Sequence, residues 1–289
     1  MEIKVKIKFL PSTILALMIV AAFDSIIFTH SGRAQGRITV ETALEGVKSI
    51  PVNNLRITVV YDNNPYKAGL PTSWGFACVI RGTEKTVLFD TGGNSAVLLN
   101  NMQQLGIDPK EIDVVVLSHI HGDHVGGLKG FLRENKNVVV YLPETFPMKF
   151  KETLRDSGIN IAAVNAPTSI CKGVYSTGIL GTWIKEQSLI VSTDRGLIVI
   201  TGCAHPGIVK ILKSAKELIE DKILFVTGGF HLGGMSEPQL REIINDFRKL
   251  GVKHVGPCHC SGDLARRMFK QEYGDGYMNV GVGRRIELP

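Results

Sequence analysis

Short apolar runs alternate with amphipathic segments from about residue 55 to the end of the chain. Several runs are rich in β-branched residues and bounded by turn residues, as in LRITVVYD and KTVLFD, and this pattern predicts strands. Apolar residues recur three and four positions apart in PGIVKILKSAKELIED, which predicts a helix with Pro206 near its first turn. A further helix is expected in NSAVLLNNMQQLG, with Asn94 at its N-cap.

The predicted strands outnumber the helices in the middle of the chain, so the pattern is not a simple repeat of strand–helix–strand units. The almost wholly apolar run EIDVVVLSH is typical of a strand that is buried on both faces. These features favour an α+β fold in which two mixed β-sheets pack together with helices outside them. We expect one globular domain over residues 50–289.

The first 34 residues have a different composition from the rest. Lys4, Lys6 and Lys8 precede an apolar stretch over residues 9–23, which is the pattern of a signal peptide. Asp24 interrupts the stretch and argues against a membrane span of about 20 apolar residues. A cleaved signal, a retained membrane anchor and an ordinary N-terminal strand and helix all stay open. The first two predict a protein that is exported or membrane-anchored, with its main domain outside the cytoplasm.

Composition narrows the function classes. The net charge of +6 is spread along the chain without a basic block, which suits a small, anionic substrate and does not argue for nucleic acid. The five cysteines are odd in number and have no repeating spacing, so they make a poor disulfide framework. No CxxC pair occurs, and a structural zinc knuckle therefore has no support.

The segment LSHIHGDHVGGL holds three of the eight histidines of the chain within six residues. His119 and His121 are separated by one residue, so in an extended segment both imidazoles project the same way. Gly122 allows a tight turn, after which Asp123 and His124 offer an oxygen and a nitrogen ligand. Imidazole and carboxylate are ligands of zinc and other first-row metals, whereas the alternative is a polar loop with histidines by chance.

The order HIHGDH resembles the HxHxDH signature of the metallo-β-lactamase superfamily, and LFDTGG, TGCAHPG and PCHCSG resemble its other motifs. The resemblance implies a four-layer αββα sandwich with two divalent metal ions, zinc first and manganese or iron as alternatives. It also implies a structural Asp90 that orients the histidine loop. The metal ligands that it implies are His119, His121 and His205 for one ion and Asp123, His124 and His259 for the other.

One motif departs from the family pattern. The family has a bridging aspartate at the end of a strand, but the corresponding stretch here, FVTGGFHL, contains no acid. His231 is its one ligand-capable side chain. Either His231 takes a place near the metals, or solvent alone bridges them, or the second metal is weakly held. A buried core histidine is the alternative for His231, and His254 is expected to be structural.

The resemblance implies an enzyme that uses a metal-activated water to hydrolyse an ester, amide or phosphoester, with Asp123 orienting the nucleophile. The segments TGCAHPGI, GGFHL and HCSG also resemble a subgroup that includes a dihydropterin–ribofuranosylaminobenzene phosphate synthase and its relatives. This resemblance implies, as the alternative, a transferase that releases diphosphate. A metal-binding or ligand-binding module without turnover is the third class. The loop over residues 63–74, rich in turn residues and aromatics, is a candidate wall of the substrate pocket.

Overall fold

A computed structural model describes residues 46–288 of the chain, and within this range thirteen strands form two mixed sheets. The predicted signal or anchor over residues 1–34 lies outside the described residues. The strands in chain order are β1 (Arg56–Asp62), β2 (Phe76–Arg81), β3 (Val87–Phe89), β4 (Val114–Val116), β5 (Val139–Pro143), β6 (Asn160–Val164), β7 (Thr168–Cys171), β8 (Val174–Ser176), β9 (Leu189–Thr193), β10 (Gly196–Thr201), β11 (Ile223–Gly229), β12 (His254–Cys258) and β13 (Arg285–Ile286).

Seven α-helices accompany the strands in the described range. They are α1 (Ser95–Gln104), α2 (Gly122–Val125), α3 (Leu128–Glu134), α4 (Met148–Asp156), α5 (Ile208–Leu218), α6 (Glu237–Lys249) and α7 (Asp263–Tyr273). No helix between residues 46 and 288 is long and apolar enough to cross a membrane.

Each sheet combines parallel and antiparallel pairs. The seven-stranded sheet has the order β13-β1-β2-β3-β4-β5-β6, and its strands from β3 to β6 are parallel. The six-stranded sheet has the order β12-β11-β10-β9-β8-β7, and β10, β11 and β12 are parallel. The predicted class, an α+β fold with two mixed sheets, is therefore confirmed.

Alternating side chains along the strands form the layers of the sandwich. In β2, Phe76, Cys78 and Ile80 point into the core between the sheets, where Ile198 and Ile200 of β10 meet them. The intervening side chains of β2 pack with helices α1, α3 and α4, and those of β10 pack with α5, α6 and α7. Because successive strand residues face opposite sides, a run of apolar residues buries both faces of each sheet. The result is the expected four-layer αββα sandwich.

The predicted starts of two helices are confirmed. Asn94 caps α1 as predicted, because its side chain accepts hydrogen bonds from the backbone N–H groups of Ala96 and Val97. Pro206 lies near the first turn of α5 as predicted, directly before the N-cap residue Gly207. Helix α4 was not expected, because its sequence MKFKETLRD buries only Lys151 and Leu154 and so carries a weak apolar signal.

Candidate metal centre

Five loops that follow five strands converge at one edge of the sandwich. The strands β3 and β4 of the first sheet lead to Asp90 and to the segment from His119 to His124. The strands β10, β11 and β12 of the second sheet lead to His205, His231 and His259. The carboxyl ends of parallel strands lie at one edge of a sheet, which is the common place for a functional site. All seven ligand candidates from the sequence are therefore brought to this edge.

Three histidines form a first group of candidate ligands. One ligand atom from each of His119, His121 and His205 lies within 4.8 Å of the others. The Nε2 atom of His119 is 3.1 Å from Nδ1 of His121. This geometry matches the first metal site that the resemblance implies, and metal binding there stays a prediction.

Asp123, His124 and His259 belong to a second group, again with ligand atoms within 4.8 Å of one another. The Oδ2 atom of Asp123 is 3.6 Å from Nε2 of His124 and 3.3 Å from Nε2 of His259. The group contains a fourth member that sequence reasoning missed. This member is Cys203, whose Sγ atom is 3.1 Å from Nε2 of His124.

Hydrogen bonds at Nδ1 fix the orientation of the buried histidines. His124 donates from Nδ1 to Oδ2 of Asp90 at 2.7 Å, and His119 donates from Nδ1 to Oγ of Ser118 at 2.9 Å. Asp90 in turn accepts hydrogen bonds from the backbone N–H and the hydroxyl of Ser118, each at 2.7 Å. Such outer contacts hold Nε2 unprotonated and free for a metal. The contacts of Asp90 match the orienting role that the resemblance implies.

Glu186 orients His205 and was not found from the sequence. It is wholly buried and accepts a hydrogen bond from Nδ1 of His205 at 2.9 Å. It also accepts backbone N–H bonds from Cys203, Ala204 and His205. Burial raises the pKa of Glu186, but these donors outweigh it and lower the pKa to about 2. A lone acid before a strand in KEQSLI carries no sequence signal of this role.

Asn63 orients His259 from the loop that we proposed as a pocket wall. The Nδ1 atom of His259 is 2.8 Å from Oδ1 of Asn63, and Asn63 donates from Nδ2 to the carbonyl oxygen of His259. The ring of Trp74, at the other end of this loop, lies 5.0 Å from the ring of His259, and its side chain is exposed. The loop therefore borders the second group of ligands.

The electrostatic state of the centre suits metal ligation. Burial lowers the pKa of both His119 and His124 to about 3, so both are neutral at pH 7. For Asp123 burial raises the pKa, but the imidazole of His259, whose Nε2 atom lies 3.3 Å from Oδ2, and the charge of His124 bring the pKa below its usual range. Neutral imidazoles and an ionised carboxylate are the forms that bind divalent metals.

The backbone is strained at the centre. In the described range, four residues other than glycine have a positive φ, and these are Asp90 (57°), Ala204 (60°), His231 (54°) and His259 (47°). All four lie in the five loops that converge at the centre. Positive φ is costly for residues with a Cβ atom and is concentrated at functional sites. The strain indicates that the fold holds these side chains in place for a purpose other than stability.

His231 lies at the open side of the centre. Its side chain is exposed, so the alternative of a buried core histidine is wrong. Its ring centroid is 4.5 Å from that of His205, and it forms a third group of candidate ligands with Cys203 and His205. A hydrogen bond with Cys260 raises the pKa of His231. Ligation by His231 stays a prediction.

A pocket of about 240 Å³ opens beside His205 and His231. Its other walls are largely apolar, and they include Phe230, Met235 and Ile243. Ligand pockets commonly combine apolar walls with a few polar groups at one end. The pocket is therefore a candidate for the apolar part of a substrate.

The residues present fit divalent metals. The Nε2 atom of His259 is buried within the second group and makes no hydrogen bond, although burial of a polar atom without a partner is costly. The donors are imidazole nitrogens, a carboxylate and a thiol, which is a set that first-row metals such as zinc prefer.

Comparison with known proteins identifies the family. The model of the metallo-beta-lactamase superfamily matches residues 75–216. A solved structure of Tm1679, described as a metal-dependent hydrolase of the beta-lactamase superfamily, is 32% identical, with a TM-score of 0.69 over 81% of this chain and 99% of that one. The chain belongs to the metallo-β-lactamase superfamily, whose members are enzymes that typically bind divalent metals.

Two curated relatives have different activities in their names. The 7,8-dihydropterin-6-methyl-4-(beta-D-ribofuranosyl)-aminobenzene-5'-phosphate synthase of Methanocaldococcus jannaschii is 29% identical over 82% of this chain and 98% of its own length. A ribonuclease Z of Nanoarchaeum equitans is 32% identical over 57% of this chain and 60% of its own length. The resemblance to the synthase-like subgroup is thus confirmed, while the reaction of this chain is open.

Proposed function

We propose that the protein is a metal-dependent hydrolase that acts on an ester, amide or phosphoester bond of a small molecule. The observation that carries this proposal is the position of Asp123. It lies in the second group of candidate ligands beside His124 and His259, is only partly buried, and has a lowered pKa that keeps it ionised. An ionised carboxylate that solvent reaches is able to accept a hydrogen bond from the attacking water and to receive its proton.

Some residues of the chain would hold the metals, and others orient those ligands. When bound, two divalent metals would supply Lewis acidity and lower the pKa of water. His119, His121 and His205 would hold one ion, while Asp123, His124 and His259 would hold the other. Asp90, Glu186 and Asn63 keep the histidines in their ligating orientation through the Nδ1 hydrogen bonds.

The surroundings of the centre support a small substrate with an apolar part. The pocket beside His205 accepts such a group, and the exposed ring of Trp74 offers a flat surface on the opposite, His259 side. Base stacking on one aromatic residue is not enough to grip a nucleic acid, which needs a row of basic and aromatic groups. We therefore propose no nucleic-acid partner.

Asp123→Asn tests the proposal. With zinc-loaded protein and a panel of nitrophenyl esters, phosphoesters and anilides, we expect the wild type to turn over one class. The substitution should lower kcat about a hundredfold or more, since it removes the charge that orients the water. Asp156→Asn, on the exposed end of α4, is the control and should leave kcat unchanged. Equal rates for Asp123→Asn and the wild type would refute the role of Asp123.

A transferase that releases diphosphate is the second candidate. It is favoured by the named synthase, which this chain matches over 98% of that relative's length. The test is release of inorganic diphosphate from a pterin diphosphate in the presence of an arylamine acceptor. Diphosphate release that depends on the acceptor, without hydrolysis of any member of the nitrophenyl panel, would favour the transferase over the hydrolase.

A further inference from the structure

We propose that Cys203 binds the second metal as a thiolate and supplies the negative charge that the missing bridging aspartate would have carried. The assignment depends on metal binding at the proposed site but not on which reaction the protein catalyses. Cys203 is 4% exposed, and it shares its group with Asp123, His124 and His259.

The distances around Cys203 fit a shared metal. Zinc binds sulfur at about 2.3 Å and imidazole nitrogen at about 2.0–2.1 Å, so two such ligand atoms lie about 3.1–3.6 Å apart at bond angles of about 90–110°. The Sγ atom of Cys203 is 3.1 Å from Nε2 of His124. This nitrogen is directed toward the group because Nδ1 of the same ring is held by Asp90.

An orphaned nitrogen gives independent support. The Nε2 atom of His259 belongs to the same group and is buried, and it makes no hydrogen bond in the described part of the chain, although Oδ2 of Asp123, another candidate ligand, lies 3.3 Å away. A thiol that only donated a hydrogen bond to His124 would leave this nitrogen unexplained. A metal that is bound by Cys203, His124 and His259 would account both for the short distance between Cys203 and His124 and for the unpaired nitrogen of His259.

The end of β11 has room for the cysteine that follows the neighbouring strand β10. β11 ends with Gly228 and Gly229, and it pairs in parallel with β10, which leads to Cys203. A Cβ atom on Gly229 would lie 3.2 Å from Cα of Cys203 and 2.7 Å from Sγ of Cys260. A side chain is therefore absent from the end of β11 where the loop after β10 carries Cys203.

The charge of the second group favours the same assignment. Asp123 alone gives the group one negative charge, and a Cys203 thiolate would make two, which balances a divalent ion. Sulfur ligands select zinc, cobalt or iron(II) over manganese and magnesium. A coordinating thiol is deprotonated when the metal binds. The inference thus narrows the metal to the thiophilic ions.

Cobalt substitution tests the assignment without measuring turnover. A thiolate bound to Co²⁺ gives an intense charge-transfer band in the near ultraviolet, which nitrogen and oxygen ligands do not give. We expect this band in the cobalt-loaded full chain and expect Cys203→Ser to abolish it while Co²⁺ remains bound at the first site. Cys258→Ser is the control, because Cys258 is a buried free thiol outside all three groups of candidate ligands.

Cys260 is the rival ligand, since its Sγ atom lies 3.6 Å from the carbonyl oxygen of Cys203, to which the thiol donates. We expect Cys260→Ser to retain the band. Loss of the band in Cys260→Ser with retention in Cys203→Ser would overturn the assignment. If Cys203→Ser does not fold, X-ray absorption on the zinc-loaded Cys260→Ser protein decides, because Cys203 should still provide a sulfur neighbour at about 2.3 Å. Bound metal without a sulfur neighbour would refute the assignment of Cys203 but not the proposed function. Failure to bind any metal would refute the proposed function as well.

Discussion

Glu186, which no motif identifies, accepts four hydrogen bonds from the segment that holds Cys203 and His205. Its two carboxylate oxygens hold three consecutive backbone N–H groups, and one of them also holds His205. The strained turn at Ala204, with its positive φ, is built around these bonds. The position of both Cys203 and His205 thus depends on one buried charge.

Glu186→Gln tests this dependence. The amide keeps the shape of the side chain but replaces an acceptor oxygen with a donor, which faces N–H groups and leaves them unpaired. We expect zinc affinity to fall about 10–100-fold, as for other supporting contacts of metal ligands. Titration of the metal-free protein with zinc measures this affinity. Glu217→Gln, exposed on α5, is the control, and equal affinities for the two variants would contradict the role of Glu186.

His231→Asn tests the residue that stands where the family has an acid. Asparagine tolerates the positive φ of this position better than alanine, so the backbone is disturbed little. Because His231 is exposed, we expect an unchanged melting temperature with zinc affinity or rate lowered about 10–100-fold. His254→Asn, at the start of β12, should change neither property. Wild-type affinity and rate in His231→Asn would place this residue outside the site.

At the scale of the elements, the end of β11 sets how closely the second sheet packs at the centre. Gly228 has a φ of 110° and pairs with Thr201 of β10. A Cβ atom there would overlap the carbonyl oxygen of Thr201. This pair of strands carries Cys203, His205 and His231 in the loops that follow, so the glycine affects the site through the backbone.

Gly228→Ala should therefore destabilise the fold strongly. Overlap with a backbone atom adds to the cost of positive φ, and we expect a loss of about 3 kcal/mol or more in the free energy of unfolding. For a chain of this size, that corresponds to a melting temperature lower by about 6–12 °C. Gly158→Ala is a matched control, because Gly158 also has a positive φ (80°) but no atom near its Cβ position. Similar melting temperatures for the two variants would contradict the crowding at Gly228.

At the scale of the whole molecule, the sequence predicted the two mixed sheets and the strand ends that carry the ligands. It did so because apolar runs, turn residues and the histidine motif are local signals. Glu186, Asn63 and Cys203 could not be found, because each acts on a histidine far away in the chain. Contacts of this kind follow from how the two sheets pack, and no local pattern records them.

The N-terminal segment provides the last prediction. Residues 1–34 stay a predicted export signal or membrane anchor, and every motif of the centre lies beyond them. We expect a chain that lacks residues 1–34 to be soluble, to bind zinc and to melt cooperatively. A chain that lacks residues 1–55 is the control and should not fold, because it loses Ile50, Val52 and Leu55 from the core between the sheets. Aggregation of the shorter truncation, with full-length protein soluble without detergent, would make the segment part of the fold and refute the predicted localisation.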